Sequence, residues 1–159
     1  MVHAIHPTDD SQHRTRSASR HCFTPNGATA MLPLVGRILA DAAKLSQSIE
    51  NQRLQLNGLY PFRETIPRNF YDDELHDIRR TIEASESRLK ACHDELAMLG
   101  VVAHVPFDGS VDFPAIVNRQ PVMLCWNPND ASVGYWHEAG AAVTHRHRLP
   151  VELKSKPSN

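Results

Sequence analysis

The sequence predicts an α+β fold: a long antiparallel helical hairpin followed by a small antiparallel β-meander of three to four strands. Three observations carry that expectation. Apolar residues recur at heptad spacing through residues 24–57 and again through 69–99. A connection carrying Pro61 and Pro67 separates the two stretches. After Gly100 the period shortens to apolar runs of strand length, bounded by turn residues.

The first helix has a clear start. Thr24 is a good N-cap, and Pro25 sits at the first helical position, where its missing N–H costs nothing. Ala28, Val35, Ala42, Ile49 and Leu56 are seven apart, and Met31, Ile38, Leu45 and Gln52 interleave with them as the second seam position. Leu32 and Leu39 widen the apolar stripe in the first half only. Pro33 is expected to bend the axis or to set the first turns apart. In the connection, Tyr60, Phe62 and Ile66 are expected to fold back over the hairpin tip.

The second helix is expected to open at Asn69 as its cap, with Asp72, Asp73 and Glu74 complementing the positive end of the helix dipole. Leu75, Ile78, Ile82, Ser85, Leu89, Cys92, Leu96 and Leu99 repeat the seam spacing, Glu86 and Lys90 are placed to pair one turn apart, and Gly100 ends the helix. One antiparallel register puts Val35 against Leu96, Ile38 against Cys92, Ala42 against Leu89, Ile49 against Ile82 and Leu56 against Leu75.

The strand-like runs are residues 101–105, 111–116, 122–126 and 133–137. A two-residue turn at Asn118-Arg119 sets the central hairpin, so that Val117 opposes Gln120, Phe113 opposes Leu124, Val111 opposes Trp126 and Asp112 opposes Cys125. Val111, Phe113, Ala115, Val122, Leu124 and Trp126 then form the apolar face that lies on the helices, with Asp112, Pro114, Met123 and Cys125 on the other.

The domain expected is residues 23–150, between a disordered tail (1–22), polar and rich in His, Ser and Arg, and a flexible tail (151–159). His3, His6, His13 and His21 in the first tail carry no fixed ligand geometry. The 159 residues have a formal charge of −1, which gives no field to draw the chain to nucleic acid or anionic lipid. There is no apolar run of membrane-spanning length and no secretory apolar core at the start. Three cysteines, an odd and sparse set, point to a reducing cytoplasm rather than a disulfide framework.

Phe23-Thr24 through Ala28 to Leu32-Pro33, Leu99-Gly100-Val101, the run from Gly109 through Asp112-Phe113-Pro114 to Ala115, Leu124-Cys125-Trp126 and Tyr135-Trp136-His137-Glu138 together resemble an uncharacterised bacterial family, DUF2203. The resemblance spans roughly residues 23–146. It implies the fold boundaries and a bacterial cytoplasmic setting; the family brings no established activity. The chain departs from the family pattern at the Asn118-Arg119 turn, where an Asp-Gly-like pair is usual, and at Ala142-Val143 and His145-Arg146.

For chemistry, the candidates are Asp112, Cys125 and His137. A carboxylate, a thiol and an imidazole can form a nucleophile–base–orienter set or a mixed metal site. Strand parity lets only one of Trp136 and His137 join the face of Asp112. Candidate binding residues are Trp126, Tyr135 and Trp136, aromatics suited to interfaces, and Arg146 for an acidic partner. His145 and His147 share a face on an extended strand and, with His137, are the candidate metal ligands. No cofactor is called for, a divalent metal being the one these residues could hold. The sequence holds no Gly-rich phosphate loop, zinc CxxC, HExxH or serine nucleophile motif.

Helices of this length run ~45 Å, whereas strands of five or six residues span ~17–20 Å. The sheet therefore covers less than half of the hairpin, leaving a narrow stalk weakened by Gln52 and Ser85. The expectation is a self-associating interaction or ligand-binding module without catalytic activity, a homodimer through the helical hairpin, with a protein or small-molecule partner not identified by the sequence. The other reading is a small metal-binding protein or hydrolase-like enzyme built on Asp112, Cys125 and His137.

Overall fold

A computed structural model of the chain describes residues 22–104, 107–141 and 145–150. Helix α1 (Pro25–Leu59) leads through a 3-10 turn (Tyr60–Phe62) to helix α2 (Arg68–Met98). Five strands follow among the described residues: β1 (Val102–Ala103), β2 (Val111–Val117), β3 (Gln120–Trp126), β4 (Tyr135–Glu138) and β5 (His147–Arg148). They form one antiparallel sheet in the order β1-β2-β3-β4-β5, a meander with one strand more than the sequence announces. The expected tails, 1–22 and 151–159, lie outside the described residues except for Cys22.

The Thr24 side chain accepts a hydrogen bond from Gly27 N–H at 3.1 Å, and α1 continues unbroken through Pro33 rather than dividing there. At the end of α2, Gly100 takes the left-handed conformation (φ 77°). Its N–H donates to the Ala97 carbonyl at 3.0 Å, and the Val101 N–H donates to the Leu96 carbonyl at 2.9 Å. This is a Schellman closure with its hydrophobic contact, since Val101 and Leu96 are both buried.

Three local expectations need correction. Helix α2 begins at Arg68, one residue before Asn69. The N-cap is Pro67, whose extended backbone (ψ 132°) stops the helix and whose carbonyl accepts the Tyr71 N–H at 3.1 Å. Asp72, Asp73 and Glu74 therefore fall beyond the first turn. Glu86 does not pair with Lys90: Arg53 draws it across the hairpin at 2.7 Å, and Lys90 turns to Asp94 at 2.6 Å. Tyr60 and Phe62 do not fold back over the tip; both are about half exposed, and Tyr71 is the aromatic buried there.

The Asn118-Arg119 turn has positive φ at both residues (51° and 65°), the mirror-image geometry whose twist suits a two-residue hairpin. It sets Val111 opposite Trp126, Asp112 opposite Cys125 and Phe113 opposite Leu124, as the sequence predicts. Pro114 is tolerated because its carbonyl, and hence its N–H-less nitrogen, faces the β1 edge, where the Phe23 N–H donates to it at 2.7 Å.

The mismatch of length divides the interior in two. At ~1.5 Å per residue α1 runs ~52 Å, whereas the seven-residue strands span ~24 Å. The main core joins the sheet face of Val111, Phe113, Ala115, Val122 and Leu124 to Ala28, Val35, Ile38, Leu39 and Leu96 at the base of the hairpin. A separate small core in the stalk consists of Ile49, Ile78 and Ile82, edged by Leu56, Leu59 and Leu89.

Candidate functional site

The sheet face turned away from the helices carries a buried polar cluster. Asp112 sits there by the parity of β2, and His137 by that of β4. His104 joins them because Val102 pairs with Asp112, which places the residue two further on the same face. The His104 N–H donates to the Ser110 carbonyl at 3.2 Å. Just before β2 the Ser110 N–H donates to Asp108 Oδ1 at 2.8 Å, with Gly109 at φ 83°.

His104 Nε2 stands 2.9 Å and His137 Nε2 3.2 Å from the same carboxylate oxygen, Asp112 Oδ2. The side chains of Asp112 and His137 retain only 8% and 4% of their exposure. Neither short contact is aligned as a hydrogen bond. Both Nε2 atoms and Asp112 Oδ1 are buried without a hydrogen-bond partner. On its far side, His137 Nδ1 lies 3.0 Å from the Glu138 carbonyl oxygen, and His104 Nδ1 lies 3.7 Å from Asp108 Oδ2.

Cys125 lies directly across the ladder from Asp112 and is buried. Burial pushes its thiol pKa up, Asp112 and Asp130 add to the rise, and Arg146 only partly offsets them. The thiol is held neutral, the opposite of an activated nucleophile. Beside it, Arg146 donates to Asp130 Oδ2 at 2.6 Å and lies 4.1 Å over the Tyr135 ring. Burial is the largest influence on the Arg146 charge and works against it, but the hydrogen bond to Asp130 together with the charges of Cys125, Asp130 and Tyr135 outweighs it and holds the guanidinium protonated. Asp130 also organises its own loop: it accepts from the Asn127 N–H, and its carbonyl accepts from Trp126 Nε1.

The structure thus brings Asp112, Cys125 and His137 to one face and adds His104, Asp130 and Arg146 to the neighbourhood. The candidate binding residues do not form one surface. Tyr135 and Arg146 stack on this outer face. Trp136 points the other way, lies 5.0 Å from the His147 ring, and lines a pocket of 460 Å³ with Val117, Pro121 and Val122. Trp126 is on the helix side as well. Of the candidate metal ligands, His137 is buried on the outer face, while exposed His147 sits across from Trp136 on the opposite face and His145 is exposed before β5. Among the described residues, no group of three or more His, Cys, Asp or Glu side chains is arranged to hold a metal ion.

His104 is the residue that sequence reasoning missed. Its signal was present in the alternation of the 101–105 run, needing only the Val102–Asp112 register to place it.

A second feature lies where the sheet ends and the stalk begins. A groove of 530 Å³ is lined by Gly36, Leu39, Ala40 and Ala43 of α1 and by Phe107, Trp126 and Pro128 of the sheet loops. No helix among the described residues is long and apolar enough to cross a membrane.

The family model described as "Uncharacterized conserved protein (DUF2203)" matches residues 21–149. No curated protein and no solved structure matches the chain.

Proposed function

The chain belongs to the DUF2203 family, and we propose that it is a self-associating interaction module of the cytoplasm whose occupant in the groove is a second copy of itself. The observation that carries this reading is a second heptad seam on α1, distinct from the one that meets α2. Gly36, Ala40, Ala43, Gln47, Glu50 and Leu54 alternate at steps of four and three on one exposed flank. All but Leu54 line the groove. Leu54 is 60% exposed, an apolar side chain with no partner in its own chain's core.

The two ends of the seam complement each other in size. A Cβ placed on Gly36 would meet nothing within 4 Å, so there is open space above the backbone at one end. At the other end a leucine projects. Two α1 helices laid antiparallel put Leu54 of each over Gly36 of the other, with Ala43 beside Gln47, an isologous contact of the kind closed dimers use. The thin stalk core of three isoleucines gains the cover it lacks, as in a four-helix arrangement. Cys22, Cys92 and Cys125 are all free, which supports a reducing compartment. The raised thiol pKa of Cys125 weighs against the enzyme reading.

Light scattering over a range of concentrations tests the proposal. The expected mass is twice 17.8 kDa at tens of micromolar, and Leu54→Glu, a change at an exposed position, shifts it to the single-chain value. A wild-type mass that stays at one chain under those conditions, or a dimer indifferent to Leu54→Glu, would overturn it.

A further inference from the structure

We propose that the pocket lined by Trp136 and Glu138 binds a guanidinium group, as carried by an arginine side chain or a free guanidino compound. A pattern for it lies on the other face of the same strand. There Tyr135 has a cation from its own chain: Arg146 sits 4.1 Å over the ring and donates to the Asp130 carboxylate at 2.6 Å. Ring, guanidinium and carboxylate form one stacked unit. The helix-side face of β4 repeats two of these parts. Trp136 supplies the ring, and Glu138, two residues on and so on the same face, supplies the carboxylate. Both line the pocket of 460 Å³. Among the described residues, no Lys, Arg or His side chain pairs with Glu138, and no cation lies over the Trp136 ring. Arg119, the arginine of the adjoining hairpin turn, does not line the pocket.

The pocket exists because the β2–β3 hairpin runs past the start of α1. The chain enters α1 beside Pro114, whose carbonyl accepts the Phe23 N–H. On the helix-side face Phe113, Ala115, Val122 and Leu124 are buried, whereas Val117 is half-buried and Gln120 exposed. Val117 and Pro121 give the pocket an apolar lining, and Asn118 and Gln120 bring amide oxygens that accept hydrogen bonds. The two main groups are held in place. The indole packs against the main core and against the His147 ring, 5.0 Å away and tilted by 38°. The Glu138 carbonyl lies 3.0 Å from His137 Nδ1 and accepts the Ala141 N–H at 3.1 Å, with Gly140 at φ 87° turning the chain. Two residues along a strand are ~6.5–7 Å apart, so a planar cation stacked on the indole reaches the carboxylate with its edge. Guanidinium suits this better than ammonium: it is flat, weakly hydrated and stacks on aromatic rings while its N–H groups donate in the plane. A compact ammonium gives up more hydration against an apolar lining. The pocket shares no lining residue with the groove on α1.

The test is an NMR titration of the full, isotope-labelled chain with Nα-acetyl-arginine amide. The two indole N–H signals report on different places, Trp136 on this pocket and Trp126 on the groove. The expected result is a saturable shift of the Trp136 signal with a Kd in the millimolar range, as suits so small a ligand, and no shift of Trp126. The citrulline analogue, of the same shape but uncharged, binds about tenfold more weakly or not at all. Glu138→Gln, a change at an exposed position that keeps Trp136 as the reporter, lowers the affinity about fivefold or more. Agmatine and a Leu-Arg-Leu peptide separate the two sources: tighter binding of the peptide assigns the group to a protein's arginine, tighter binding of agmatine to a free compound. No saturable shift up to ~50 mM, a citrulline analogue that binds equally, or an affinity unchanged in Glu138→Gln overturns the proposal. Leu54→Glu leaves the titration as it is in the wild type, so the outcome is independent of the oligomeric state.

Discussion

Arg53 on α1 and Glu86 on α2 meet at 2.7 Å across the flank of the stalk, thirty-three residues apart in sequence. The pair ties the two helices where their apolar contact is thinnest, yet both side chains remain about half exposed. Solvent screening limits such a pair to ~1 kcal/mol or less. A double-mutant cycle on Arg53→Ala and Glu86→Ala in urea unfolding is expected to give a coupling of that size that fades in 1 M salt.

The two cores differ in what they can lose. Phe113 is fully buried between sheet and helices, with the Phe23 ring edge-on at 5.2 Å. Phe113→Ala is expected to cost ~3–5 kcal/mol. Ile82 sits in the three-isoleucine stalk core, where the helices can close over a deleted side chain, and Ile82→Ala is expected to cost ~2 kcal/mol, the low end for such truncations. Chemical denaturation measures both, and hydrogen exchange is expected to show stalk amides opening before those of β2 and β3.

The hairpin turn holds Arg119 at φ 65°, a left-handed conformation that costs a side-chain-bearing residue energy. Glycine adopts it without that cost but loses more chain entropy on folding. The strain relief is expected to dominate, so Arg119→Gly raises stability by ~0.5–1 kcal/mol. Thermal melts of the two proteins check the sign.

Burial raises the thiol pKa of Cys125, and also that of Cys92, above the usual 9.0. Above pH 9 the unfolded chain has released thiol protons that the folded chain still holds, so the unfolded state binds fewer protons and stability falls as pH rises. The contribution is complete below the unfolded value and gone once pH has passed through the raised folded value. Urea midpoints from pH 7 to 10.5 are expected to decline at the alkaline end, and less steeply in Cys125→Ala. At pH 7.5, iodoacetamide is expected to modify exposed Cys22 well before Cys125.

Much of the fold was legible because several local rules agreed. Thr24-Pro25 and Gly100 marked helix ends through capping chemistry that is nearly independent of context. The Asn118-Arg119 turn fixed the pairing of Asp112 with Cys125, since a two-residue loop leaves no freedom of register. What was not legible depended on competition at longer range. Glu86 chose Arg53 over Lys90 because the facing helix brings a guanidinium that no helix-local rule anticipates. Asn69 lost the cap to Pro67, whose own backbone already breaks the helix. His104 was hidden by the brevity of β1, and β5 by two residues that pair only because β4 presents an open edge.

Antiparallel pairing of α1 with α1 of a second copy sets the distance between identical spin labels, one on each chain. With Cys22 and Cys92 replaced, a label at Gln47→Cys lies near the two-fold axis, and one at Gly58→Cys, where a side chain has open space, lies far from it. Pairing in this sense holds the labels within ~20 Å at position 47 and ~40 Å apart at position 58, from the rise of ~1.5 Å per residue. Uncoupled labels at both positions, or short distances at both, would contradict it.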